Sequence, residues 1–183
     1  MTTLRAGLIG VGMMGRNHAR VLRSLDGVEL VGVVDPGGDP HQAASDIPLF
    51  ASLDELVSLG IDYAVVSIPT AHHLVAGVAL AGAGIHCLIE KPVADSAESA
   101  QALVNAFENA GLVGAVGHIE RYNPALQHAR ARLANGELGE VYQIVTRRQG
   151  PFPGRIADVG VVKDLGTHDI DLTAWVTQRA YRS

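Results

Sequence analysis

The stretch GVGMMG, residues 10–15, decides the fold of this chain. It lies between an apolar segment that predicts a strand and a segment whose apolar side chains recur at helical spacing. In such a strand-turn-helix unit, Gly10 permits a tight turn, Gly12 lets the backbone approach a diphosphate, and Gly15 lets the helix pack close to the strand. The stretch therefore predicts the first unit of a Rossmann fold that binds a dinucleotide.

Asp35 supports this interpretation because it stands 20 residues beyond Gly15, at the end of the second predicted strand. A carboxylate at this place accepts hydrogen bonds from the adenosine ribose of a dinucleotide. The same carboxylate repels a 2′-phosphate. The sequence therefore predicts NAD as the cofactor in preference to NADP.

Strand-like and helix-like segments alternate after the glycine turn, which predicts a doubly wound parallel sheet of the α/β class. The predicted strands are residues 6–9, 28–34, 63–68, 86–89 and 112–116, and the predicted helices are residues 14–25, 52–57, 70–81 and 95–110. Ser52 and Glu55 form a capping box at the start of the second helix. We expect Thr70 to cap the third helix, and Asp95 with Glu98 to cap the fourth.

The sequence changes in character around Gly117, which predicts a crossover to a second domain. A helix is expected to begin at Pro124, an exposed-face strand over 140–148, and a further helix over 165–176. These elements bury too little surface to complete a second sheet. We therefore expect an NAD(P)-binding Rossmann domain over 1–120 and the incomplete start of an α+β substrate domain over 121–183, with the C-terminal remainder truncated or supplied by an oligomer.

Composition excludes several classes of partner. The net charge is −5, with 14 basic and 19 acidic residues, so neither nucleic acid nor an anionic membrane surface is expected to bind. No apolar run approaches the roughly 18 residues of a membrane span, and no signal peptide is evident. The single Cys87 lies in an apolar run, as expected of a buried thiol in the cytoplasm. The eight histidines lack metal-ligand spacing, so no metal site is expected.

Four motifs together resemble the Gfo/Idh/MocA oxidoreductase family. They are the glycine turn, Glu90-Lys91-Pro92 directly after a strand, Pro69-Thr70 with His72 or His73 after another, and Asp164-Leu165-Gly166-Thr167-His168. More narrowly, GHIERYNP at 117–124, GPFP at 150–153 and residues 155–171 are similar to members that oxidise UDP-N-acetylglucosamine or its uronate at C3. The resemblance implies a nucleotide-sugar substrate and a homo-oligomer in the full-length form.

The resemblance implies that Lys91, His168 and Asp164 are catalytic and contact the substrate. Oxidation of a secondary alcohol needs a hydride acceptor and a base for the hydroxyl proton. Lys91 would hold the hydroxyl, His168 would serve as general base, and Asp164, four residues earlier on a helix, would orient the sugar or bias the protonation of the other two. Which of Lys91 and His168 takes the proton stays open. By residue type alone, the structural interpretation is favoured for each of the three: a solvated surface lysine, an N-cap aspartate and a partly buried histidine.

The resemblance also implies the remaining contacts. Besides the three glycines and Asp35, the cofactor-binding residues would be Met13, Met14, Pro69, Thr70, Glu90 and Lys91. The further substrate-binding residues would be Arg121, Tyr122, Asn123 and Arg155, because guanidinium groups suit phosphate oxygens.

The predicted function is an NAD-dependent 3-dehydrogenase of a nucleotide-linked N-acetyl sugar. One alternative is a dehydrogenase of another sugar or polyol, such as inositol or glucose. An alternative of a different class is a non-catalytic NAD-binding module or a fragment, which the short chain favours.

Overall fold

The computed structural model describes residues 2–149, 160 and 162–182, and it divides the chain into two compact units. The first unit ends at Gly117 and the second begins at His118. This division falls three residues before the domain boundary expected after residue 120.

A parallel sheet forms the centre of the first unit, and its six described strands lie in the order β3-β2-β1-β4-β5-β6. The strands are β1 (Leu4–Ile9), β2 (Val28–Val34), β3 (Leu49–Phe50), β4 (Tyr63–Val66), β5 (His86–Ile89) and β6 (Gly114–Val116). The helices are α1 (Gly15–Ser24), α2 (Leu53–Ser58), α3 (His73–Gly82) and α4 (Ala97–Asn109). The strand order reverses between β1 and β4, and ligands bind doubly wound sheets at the carboxyl edge of such a reversal. The predicted Rossmann fold is confirmed.

Helices cover both faces of the sheet. Alternate residues of each strand face opposite sides, so a strand such as β4 contributes to two apolar clusters. Ala64 and Val66 belong to one apolar cluster, together with Leu80 of α3 and Leu103 of α4. The intervening Val65 belongs to the other cluster, which includes Ala19 and Leu22 of α1. The buried runs of Val, Ile, Leu and Ala in the sequence thus have apolar neighbours on both sides.

The ends of the helices test the predicted caps. The capping box is confirmed: Ser52 Oγ accepts from the Glu55 amide at 3.4 Å, and Glu55 Oε2 accepts from the Ser52 amide at 3.0 Å. The cap at Thr70 is wrong, because a short 3-10 helix (Thr70–His72) begins there without a side-chain cap. The cap at Asp95 is also wrong. Ser96 directly precedes the first helical residue, and its Oγ accepts from the Ser99 amide at 3.1 Å.

The second unit contains described helices but no described strand. A 3-10 helix (Ile119–Tyr122) leads to α5 (Pro124–Ala134), and a π-helix (Val162–Gly166) runs directly into α6 (Thr167–Thr177). The predicted strand over 140–148 is wrong, since these residues form no regular structure. A strand needs a neighbouring backbone to take its hydrogen bonds, and the described part of this unit offers none. No helix among the described residues is both long and apolar enough to cross a membrane.

Cys87 gives a direct test of how tightly the sheet is packed. It lies on β5 with 4% of its surface exposed, and burial raises the pKa of its thiol to about 12. We expect Ellman's reagent to leave this thiol unmodified in the native protein at neutral pH and to modify it fully in guanidinium chloride, because only the exposed thiolate reacts. Release of the coloured thiolate measures both. Stoichiometric reaction without denaturant would show that β5 is not held in the sheet.

Candidate functional site

The glycine turn joins β1 to α1 at the point where the strand order reverses. Gly10 has a φ of +89°, a backbone conformation that side chains rarely adopt, and a Cβ there would lie 2.6 Å from the Ser67 carbonyl oxygen. A Cβ on Gly15 would overlap the Gly10 carbonyl oxygen. Both glycines are therefore required by close packing of backbone on backbone.

Gly12 differs from these two glycines because a Cβ there would meet no protein atom within 4 Å. The space over its backbone is open, and the first turn of α1 carries no acidic side chain. Met13 and Met14 flank this space and are 43% and 38% exposed, respectively. An open glycine backbone at the start of a ten-residue helix fits a bound diphosphate, whose charge the helix N-terminus favours.

Asp35 follows β2 and lies against the glycine turn. Its Oδ2 accepts a hydrogen bond from the Val11 amide at 2.9 Å, and its Oδ1 accepts from the Gly37 amide at 2.9 Å. Each carboxylate oxygen has a second acceptor position for a ligand hydroxyl. The structure thus brings together the two elements that the sequence assigned to a dinucleotide, and their chemistry fits NAD.

Glu90 and Lys91 follow β5 at the same carboxyl edge of the sheet. The Glu90 carboxylate is buried, with Oε1 2.7 Å from His18 Nε2 of α1 and Oε2 accepting from the Lys91 amide at 3.2 Å. Burial raises the pKa of Glu90, but the hydrogen bond and charge of His18 outweigh it, and the pKa lies below its ordinary value. A Cβ on Gly117 would lie 3.2 Å from Glu90 Oε2, so the backbone there closes over the carboxylate.

Pro69 and Thr70 follow β4, with Pro69 exposed and Thr70 buried. The next helix contributes a residue that the sequence analysis did not assign, since His73 is 1% exposed at the start of α3. Its Nδ1 lies 3.0 Å from the Pro92 carbonyl oxygen and its Nε2 lies 2.9 Å from the Ile68 carbonyl oxygen. His73 therefore connects the loops that follow β4 and β5.

In the second unit, Asp164 and His168 lie on one continuous helical segment. Asp164 is buried in the π-helix, and His168 is half-buried in the first turn of α6. The spacing of four residues keeps them on neighbouring turns. The segment thus presents a carboxylate and an imidazole from adjacent turns, as the sequence pattern indicated.

The other predicted substrate residues have varied surroundings. Arg121 forms a two-pronged ion pair with Asp171 of α6, with Nε 2.9 Å from Oδ2, and this bond raises the pKa of the guanidinium. Asn123 Oδ1 caps α5 by accepting from the Ala125 amide at 3.1 Å. Tyr122 is 77% exposed. Arg155 lies outside the described residues.

Asp171 is a further polar residue that the sequence analysis did not assign to the site. Only 11% of its side chain is exposed, and His118 Nδ1 lies 3.6 Å from its Oδ2. Its position three residues after His168 was the available signal, because that spacing places both on one helix surface. Among the described residues, no group of three His, Cys, Asp or Glu side chains is arranged as metal ligands.

Comparison with known protein families gives two adjoining matches. Residues 4–118 match the oxidoreductase family with an NAD-binding Rossmann fold, GFO_IDH_MocA, and residues 126–183 match a GFO/IDH/MocA C-terminal domain. The two matches together extend through both units.

Individual relatives point in the same direction. UDP-N-acetylglucosamine 3-dehydrogenase of Acidithiobacillus ferrooxidans is 35% identical over 180 residues, which are 97% of this chain and 55% of that enzyme. The NAD(+)-dependent scyllo-inositol 2-dehydrogenase of Bacillus subtilis is 29% identical over 94% of this chain and 54% of that enzyme. The crystal structure of the WlbA dehydrogenase from Bordetella pertussis with NADH and UDP-GlcNAcA is 28% identical, with a TM-score of 0.81 over 96% of this chain and 55% of that one. This chain spans about half the length of each.

Proposed function

Because the chain belongs to the GFO/IDH/MocA family of NAD-binding oxidoreductases, we propose that it oxidises the C3 hydroxyl of a nucleotide-linked N-acetyl sugar. One observation carries the proposal. The carboxyl edge of the sheet presents an open glycine turn beside Asp35, together with a lysine after β5. The relative that is 35% identical is named for this reaction and supports the choice of substrate. This edge is where doubly wound sheets bind ligands.

The residues of the first unit would hold NAD. The open backbone at Gly12, flanked by Met13 and Met14, receives the diphosphate, while Asp35 accepts from the adenosine ribose and disfavours the extra phosphate of NADP. The remaining contacts fall to the residues at the ends of β4 and β5, namely Pro69, Thr70, Glu90 and Lys91. Bound NAD supplies the hydride acceptor of the reaction.

The protein's own residues would manage the proton. The Lys91 ammonium donates a hydrogen bond to the C3 hydroxyl and stabilises the negative charge that develops on its oxygen. With Lys91 charged, the hydroxyl proton would pass to His168, whereas a neutral Lys91 amine would take the proton itself. In either case the C3 carbon, having given its hydride to the nicotinamide, would become a ketone. Asp164 would favour the charged form of Lys91 or His168, because a nearby carboxylate stabilises a cation.

The nucleotide part of the substrate would be held mainly by side chains of the second unit. The exposed Tyr122 is available for such contacts, and Arg121 keeps guanidinium donors beyond the two that it gives to Asp171. Arg155, which lies outside the described residues, is proposed for its guanidinium group alone. Asn123 donates through its amide nitrogen, since its oxygen caps α5.

We also propose a homo-oligomeric full-length form and, from the buried Cys87, a reducing location in the cytoplasm.

Two other functions each have an observation in their favour. The similarity to the inositol dehydrogenase favours a polyol as substrate. The glycine turn with Asp35 favours NAD binding by itself, and an NAD-binding module without turnover would need no more than these residues of the first unit.

Absorbance of reduced nicotinamide distinguishes the three functions. The protein is mixed with NAD and either UDP-N-acetylglucosamine, myo-inositol or no substrate. We expect the absorbance to rise only in the sample that contains NAD and UDP-N-acetylglucosamine. With NADP in place of NAD, we expect a rate at least about tenfold lower, because the Asp35 carboxylate repels the 2′-phosphate of NADP. A rise with myo-inositol alone would assign the polyol function. Calorimetric binding of NAD without a rise in any sample would assign the module.

A further inference from the structure

Two histidines from different helices hold the residues on either side of Lys91. His18 of α1 contacts Glu90, which precedes the lysine, and His73 of α3 contacts the carbonyl group of Pro92, which follows it. All these residues belong to the first unit. We call the pair His18 and His73 the histidine clamp.

The contact on the Glu90 side is a charged hydrogen bond shielded from water. The side chains of His18 and Glu90 are only 17% and 10% exposed, and their nearest atoms are 2.7 Å apart. The other carboxylate oxygen receives the amide of Lys91 at 3.2 Å. Such bonds are stronger than neutral ones, especially where water is excluded. His18 therefore fixes the carboxylate, and the carboxylate fixes the Lys91 backbone to the helix that follows the glycine turn.

The contact on the Pro92 side uses both nitrogens of a fully buried ring. His73 Nδ1 faces the carbonyl oxygens of Pro92 at 3.0 Å and Val93 at 3.3 Å, while Nε2 faces that of Ile68 at 2.9 Å. Carbonyl oxygens only accept, so the hydrogen bonds depend on ring N–H donors. A buried carbonyl group that loses its donor is destabilised. The ring therefore resists displacement of the loop that carries Lys91.

We propose that the histidine clamp positions the Lys91 ammonium for the reaction. The clamp acts on one side through the Glu90 carboxylate on the Lys91 amide, and on the other side through the Pro92 carbonyl group. His18 and His73 are therefore positioning residues. The inference rests on the proposed function, because it assigns these residues a role in that turnover. A displacement of about 1 Å can cost a large factor in rate, about a hundredfold in some enzymes.

Amide side chains separate positioning from simple core packing. The amide nitrogen of asparagine occupies the place of a histidine Nδ1, and that of glutamine the place of Nε2. His73→Asn therefore retains the donor that faces Pro92, whereas His73→Gln retains only the donor that faces Ile68. His18→Gln retains the donor that faces Glu90, and His18→Asn loses it. The same two substitutions at the exposed neighbour His72 are the matched controls.

We expect kcat with NAD and UDP-N-acetylglucosamine to fall at least about tenfold in His73→Gln and His18→Asn, but only about threefold or less in His73→Asn and His18→Gln. The NAD dissociation constant should stay within about twofold in all four, because the glycine turn and Asp35, which hold the diphosphate and the ribose, are untouched and Glu90 is only one of the further contacts. Equal losses of kcat within both pairs would assign the histidines to core packing and overturn the proposal. If a His73 variant does not fold, the His18 pair decides, since that side chain is partly exposed.

Hydrogen exchange provides a measurement that does not depend on turnover. Mass spectrometry of the peptide that contains residues 89–94 should show faster amide exchange in His73→Gln and His18→Asn than in their partner variants and the His72 controls. If the wild-type protein shows no turnover, the proposed function is rejected, but this exchange pattern among the variants would still support the clamp. Unchanged exchange in all variants would reject the clamp, whatever the activity.

Discussion

Replacing Lys91 with alanine is expected to lower kcat for the nucleotide sugar by about 100- to 10,000-fold, the usual contribution of a group that handles the reacting proton. The affinity for NAD should remain nearly unchanged although Lys91 is one of the proposed cofactor contacts, because the diphosphate and the adenosine ribose are held at the open turn of Gly12 and at the Asp35 carboxylate, which are not affected. Steady-state absorbance measures the first quantity and calorimetric titration with NAD the second. Loss of kcat with retained NAD affinity is the signature of an interaction used in the transition state.

The control for this variant is Lys163→Ala, which removes the other lysine of the chain from an exposed position. Its kcat should be close to that of the wild type. Wild-type turnover in the Lys91 variant would remove that lysine from the mechanism. Loss of NAD affinity in parallel with kcat would assign Lys91 to cofactor binding instead.

Substitution of Gly15 by alanine is expected to lower the free energy of unfolding by at least about 3 kcal/mol. The added Cβ would overlap the Gly10 carbonyl oxygen, which belongs to a backbone that cannot rotate aside as a side chain can. Gly10 is itself held by hydrogen bonds, since its amide donates to the Val34 carbonyl oxygen at 2.8 Å and its own carbonyl oxygen accepts from Ser67 Oγ at 2.8 Å. Urea unfolding followed by circular dichroism measures the change.

Gly12→Ala is the matched control for this variant and should have the opposite phenotype. Its Cβ would meet no protein atom, so the free energy of unfolding should stay the same or rise slightly. The methyl group would occupy the space for the diphosphate, so we expect the NAD dissociation constant to rise at least about tenfold, equivalent to about 1.4 kcal/mol. Equal stability of the two variants would contradict the packing described for Gly15, and unchanged NAD affinity would contradict the role of Gly12.

The first unit could be predicted from the sequence largely because its signals are local. The glycine turn, the buried strand over residues 28–34 and the capping box at Ser52 each depend on residues close together in the chain. The error at Asp95 is local too, because the adjacent Asp95 and Ser96 compete for one cap, whereas no side chain caps the short helix that begins at Thr70. The wrong strand over 140–148 has another cause, since alternation predicts a face but cannot provide a neighbouring strand.

The candidate site shows the same limit more sharply. The residue types at Lys91, Asp164 and His168 were evident, but the contacts that orient site residues were not. His18 and Glu90 are 72 residues apart in sequence, and Arg121 and Asp171 are 50 apart. No periodic pattern relates such residues, because folding alone brings them together. The resemblance includes His72 or His73 after the fourth strand, but the sequence does not show that the His73 ring contacts the carbonyl groups of Ile68 and Pro92.

The contact between Gly117 and the Glu90 carboxylate has a consequence for protein engineering. Gly117 is the last residue of the first unit, and a side chain there would press on the oxygen that accepts from the Lys91 amide. A chimera that joins this nucleotide domain to a foreign substrate domain preserves this geometry if glycine stays at the junction. Any larger residue at 117 requires the Glu90 carboxylate beside the Lys91 amide to shift by a few tenths of an ångström.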